Sequence, residues 1–212
     1  MTEQVGKIEK PLAEPFRQRK KVYLVPLLYS SESAPFEYKE KYSHYWQQVT
    51  EQLANLEAKI GQISRIYHES ISLSGDKALE VMEKLNPDSC AIAKSKCGCG
   101  AILEGIEEKE LLEEVMDWER CLLVGLISEK VAGKVSEFYL EASAKRYEAM
   151  AKKLSETLKD NEAGLLFIRE GHKLQFPADI EVFSVFPPEL DQIQRWLRDH
   201  ARAEEKEASA EQ

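Results

Sequence analysis

The chain has 212 residues and a formal net charge of −9, from 29 basic and 38 acidic side chains; 43% of its residues are hydrophobic and 32% charged. That length can bury a core, and that composition describes a helix-rich globular protein. The acidic balance is repelled by phosphate backbones and argues against a general nucleic-acid binder. No apolar run approaches the roughly 20 residues that span a bilayer, so no membrane partner is expected and the cytoplasm is the expected location.

Residues 1–20 carry Pro11, Pro15 and many charges, and read as a flexible N-terminal arm. Within it begins the basic cluster Arg17-Gln18-Arg19-Lys20-Lys21, a solvated lead-in to the first strand. Residues 22–29, VYLVPLLY, have the β-branched and aromatic density of a strand. Pro26 lacks a donor and predicts an edge position or a bulge there. From Phe36 to Ile60, Trp46, Val49, Leu53, Leu56 and Ile60 recur three and four apart, the apolar seam of a helix that Gly61 ends. Residues 63–70, ISRIYHES, read as the next strand, and 76–85 as a short helix closed by Asn86-Pro87.

Cys90-Ala91-Ile92-Ala93 reads as a strand before a turn at Gly98 and Gly100, and residues 106–119 as an acidic helix. CLLVGLI (121–127) is taken as a strand. Ser128 then caps a long amphipathic helix reaching about Asp160, and LLFI (165–168) follows as a strand. Strands joined by such a crossover run parallel. Residues 180–186, IEVFSVF, form a further strand that could pair antiparallel at an edge. Pro187-Pro188 opens a last helix with Leu190, Ile193, Trp196 and Leu197 inward. The expectation is one α/β domain over 21–200: a mostly parallel sheet with flanking helices, two of them long. A disordered tail is expected over 201–212.

Two groups of side chains carry candidate chemistry. Cys90, Cys97 and Cys99 could offer thiolates to a divalent metal, although Cys-x-Cys is not the usual Cys-x(2–4)-Cys spacing of structural zinc. Cys121 lies in an apolar run and reads as core. His68 and Glu69 close one predicted strand, and Glu170 and His172 follow another. In a parallel sheet these ends share the carboxyl edge, where open α/β folds bind ligands. Two imidazoles and two carboxylates there could hold a divalent metal or perform acid–base chemistry. Ser128, at a helix N-terminus expected beside them, is the candidate contact for an anionic ligand.

Three functions follow from these features. The first is an interaction protein that self-associates through its long amphipathic helices. The second is a small metal-dependent or acid–base enzyme at the His68, Glu69, Glu170 and His172 edge. The third is an anion sensor at the Ser128 helix.

Overall fold

The computed structural model describes residues 19–210; residues 1–18 of the expected arm, and 211 and 212, lie outside the described residues. Five strands form one sheet: β1 (Lys20–Leu27), β2 (Ile63–His68), β3 (Ile102–Leu103), β4 (Ala163–Arg169) and β5 (Ile180–Ser184). Their order is β3-β2-β4-β1-β5, and every neighbouring pair is parallel. The helices are α1 (Phe36–Lys59), α2 (Asp76–Leu85), α3 (Pro87–Gly98), α4 (Lys109–Leu123), α5 (Glu129–Thr157) and α6 (Pro188–Ala210). An all-parallel sheet must be covered on both faces. Central β4 shows why: its first six residues are all buried.

Alternate residues of each strand supply the two faces. Tyr23, Val25, Ile66 and Phe167 pack beneath α1, α2, α3 and α6. Val22, Leu24, Tyr67, Leu166 and Ile168 pack against Met150 and Leu154 of α5, together with Leu158 and Leu174. The α1 seam serves this core directly, with Trp46, Val49 and Leu53 buried over the chain's own sheet.

Pro26 shows how the sheet tolerates a missing donor. The β1–β5 ladder ends at Leu24, whose carbonyl accepts from Val185 N at 2.9 Å. Pro26, two residues on, faces the same side past the end of β5, and its carbonyl accepts from the Tyr45 hydroxyl at 2.6 Å.

Four expected features come out differently. Residues 121–127 are not a strand: Cys121 to Leu123 complete α4, and the following residues turn the chain into α5. The α4 stripe of Leu111, Val115, Trp118 and Leu122 continues at three- and four-residue spacing into that run, and Gly125 at φ 73° provides the left-handed turn. Cys90 to Ala93 lie in α3 rather than a strand, because Asn86 caps that helix, accepting from Ser89 N at 2.9 Å, and Pro87 occupies its first turn. β5 pairs parallel, not antiparallel, with β1. The segment 170–179 makes this possible by returning to the amino edge across the α5-side face, where Leu174 is buried. Finally, α6 continues to Ala210, through most of the stretch expected as a tail.

With no strand at 121–127, α4 and α5 become a helical hairpin. The 29 residues of α5 span about 43 Å, whereas the seven of β4 span about 23 Å. Its buried residues, Ala142, Arg146, Met150 and Leu154, all lie from its middle onward. The first half and most of α4 therefore extend as an arm.

Candidate functional site

The carboxyl edge of β2 and β4 gathers a buried ion network where the arm meets the sheet. Arg146 of α5 donates from Nε to Glu107 Oε2 at 2.9 Å and from a terminal nitrogen to Glu69 Oε1 at 3.1 Å and to Glu107 Oε1. Arg169, ending β4, donates to Glu69 from its backbone N and its Nε, both at 2.6 Å. It also reaches Glu119 of α4 at 3.0 Å, and Tyr139 of α5 donates to the same Glu119 oxygen at 3.3 Å. Glu69, Glu107 and Arg146 are all buried. Ser70 adds its N–H to Glu107 Oε1 at 3.0 Å from a left-handed backbone at φ 71°. Arg169, with its side chain partly exposed, supplies the second cation that the charge balance of buried Glu69, Glu107 and Arg146 requires.

The four edge residues expected together do share one edge, since β2 and β4 are parallel neighbours with His68 level with Phe167. They are divided between its faces. The His68 ring lies 5.9 Å from Phe167, on the α1 side, and Glu170 accepts from Gln194 of α6 at 2.5 Å on that same side. Glu69 turns to Arg146 of α5, and His172 meets Phe176 edge-on with ring centroids 6.1 Å apart. The sheet thus separates the two imidazoles.

His68 is fully buried; its Nδ1 contacts the Glu69 carbonyl and its Nε2 has no partner. Burial pushes its pKa down to about 4, against a smaller upward pull from the Glu69 carbonyl and carboxylate. The imidazole is neutral at neutral pH. His172 is also lowered, first by burial and then by Lys173, with Glu69 opposing. A cleft of about 60 Å³ lies beside it, lined by Leu24, Pro26, Ile168, Gly171 and Phe186 among others. That is room for a water or two.

Ser128 caps α5 as expected, accepting from Val131 N at 3.4 Å, but it sits at the arm's far end. Eighteen residues of helix, about 27 Å, separate it from Arg146. The cysteines belong to α3 and its end. Cys90 is buried, and its thiol is pushed up to about 11, first by burial and then by the hydrogen bond to Glu83. Cys97 is half-buried and Cys99 exposed. Among the described residues no three of His, Cys, Asp and Glu are grouped to hold a metal ion.

Sequence reasoning missed Glu107, Glu119, Arg146 and Arg169. One signal was present: Arg146 stands four residues from Ala142 and four from Met150, a charge on the apolar stripe of a helix. Such a position requires buried partners of opposite sign.

The arm carries the opposite chemistry. From Met116 to Glu141, 26 residues in all, none is buried. At its tip Leu123 is 85% exposed, Val124 77%, and Ile127 fully exposed. Along α5, Val131 and Phe138 on the side toward α4 and Leu140 on the opposite side are also exposed. Among the described residues no helix is long and apolar enough to cross a membrane. Compared with known protein families, with curated proteins and with solved structures, the chain matches none.

Proposed function

We propose that this protein self-associates, and that the α4–α5 arm is the element through which it does so. The observation that carries this reading is the 26-residue stretch without a buried side chain. Beyond Glu119, which Arg169 holds, the two helices touch only each other and bury too little apolar area to repay the entropy of ordering them. Single exposed apolar residues are ordinary on a surface, but a contiguous apolar patch marks an interaction site. The size also fits, since a standard interface takes about 20–30 residues from each side.

The carboxyl-edge network supports the same reading as the device that holds the arm. Glu69 and Glu107 are committed to arginines, so the edge sets the angle of α5 on the sheet and keeps the arm extended. The α1 seam, the other long amphipathic surface, is committed to the chain's own core.

The test is the mass in solution by light scattering after size exclusion. The wild type should elute at twice the 24.2 kDa chain mass. Leu123→Glu/Ile127→Glu, which changes two exposed side chains, should elute as a monomer with unchanged helical circular dichroism. A wild-type monomer at high micromolar concentration refutes the reading.

A further inference from the structure

Resting on the self-association just proposed, the geometry points to one mode of pairing: two arms pack antiparallel, each apolar tip seating in a groove at the base of its partner's α5. The groove, about 320 Å³, runs between α5 and the segment 173–175, and is lined chiefly by Leu140, Ala144, Tyr147 and Ala151. These four recur at spacings of four, three and four, so they form one stripe. It is distinct from the side of α5 that meets α4, where Phe138 stacks on Trp118 at 5.1 Å and Tyr139 reaches Glu119.

Leu123, Val124 and Ile127 are branched apolar side chains with no cover of their own, and the groove has the volume for one or two of them. Ile127 and Tyr147 are 20 residues apart, about 30 Å along α5. A two-fold axis passing by residue 137 therefore brings each tip to the other groove with no change in either arm. In that register Lys130 comes level with the partner's Ala144, between its Glu141 and Glu148, while Glu137 meets its own copy on the axis, each carboxylate held by Lys134 of its own arm at 2.5 Å.

Two further features are unexplained within one protomer. Gly133 lies inside α5, where glycine weakens a helix, and a Cβ there would meet nothing within 4 Å. On the proposed axis it lies four residues from Glu137 on the facing stripe, where a bare backbone admits a second helix. Ser143 Oγ, sealed at the groove, has no partner.

The experiment uses the full chain. Gly133→Leu should raise the melting temperature of the monomer, because leucine is the better helix former in open space, and yet weaken dimerisation at least tenfold by sedimentation equilibrium. In a Cys99→Ser/Cys121→Ser background, Glu137→Cys should give a disulfide-linked dimer on mild oxidation, while Glu129→Cys should not. A wild-type dimer that tolerates Gly133→Leu and fails to cross-link at position 137 overturns this packing and leaves self-association standing. A wild-type monomer overturns both. If that monomer co-sediments with phospholipid vesicles, the tip faces lipid and not a second copy.

Discussion

Arg146 is buried on a stripe of α5 that otherwise carries Ala142, Met150 and Leu154, and its guanidinium is held there by Glu69 and Glu107. Removing one member of a buried pair leaves the other charge unpaired, which costs about 3–5 kcal/mol. Arg146→Met should therefore lower the unfolding free energy by about that amount in urea titrations. Glu107→Gln/Arg146→Met should recover part of it, because the stranded carboxylate is then gone. The pH dependence rests on His68. Its folded pKa, about 4, lies below the ordinary 6.5, so the unfolded chain takes up the proton first as pH falls. The stability contributed by a neutral His68 is thus fully present above about pH 6.5 and lost between there and about 4, on the order of 3 kcal/mol. His68→Phe should flatten that part of the stability profile, measured by urea titration at stepped pH. A profile identical to wild type would show that another group carries the acid sensitivity.

At the scale of elements, the instructive case is the short apolar run. Cys90 to Ala93 and Cys121 to Leu123 both read as strands by composition, and both are helical. A run of four to seven apolar residues fits a buried strand or a helix turn equally well, and only flanking caps separate them. The Asn86-Pro87 cap and the left-handed Gly125 were those signals. Placing the cysteines in α3 has a measurable consequence. Cys90, buried and bonded to Glu83 at 3.3 Å, holds its proton well above the usual thiol range, while Cys99 is exposed. Thiolate, not thiol, reacts with alkylating reagents. Iodoacetamide near pH 8 should label Cys99 at least tenfold faster than Cys90, and denaturant should abolish the difference, as followed by mass spectrometry. Equal rates in the native state would contradict a structural role for Cys90.

At the scale of the molecule, one body presents two contrasting surfaces. The sheet is sealed by helices on both faces, and the arm leaves its apolar residues uncovered. If the arms pair, the folded dimer is stabilised by mass action, and its melting temperature depends on protein concentration. Raising the concentration a hundredfold should shift the wild-type melting temperature upward by several degrees, while Leu123→Glu/Ile127→Glu should melt at one temperature throughout. A wild-type melting temperature independent of concentration would count against the arm as a stabilising interface.

The amino-acid sequence by itself determined the α/β class, a mostly parallel sheet, the α1 seam and the Ser128 cap. These depend on local periodicity, capping chemistry and the handedness of crossovers, all properties of neighbouring residues. The shared edge of His68, Glu69, Glu170 and His172 was expected only if their strands were parallel, and the direct pairing of β2 with β4, not a crossover from 121–127, supplies it. Only the tertiary structure decided that a sheet divides the two imidazoles, because which face a residue meets depends on strand order and on where the chain leaves each strand. It alone joined Glu69 to Arg146 and Glu107, which stand 77 and 38 residues away along the chain. It also turned the run at 121–127 from an expected buried strand into the exposed end of an arm. An apolar side chain records a need for burial but not the partner that satisfies it, which only packing in three dimensions decides.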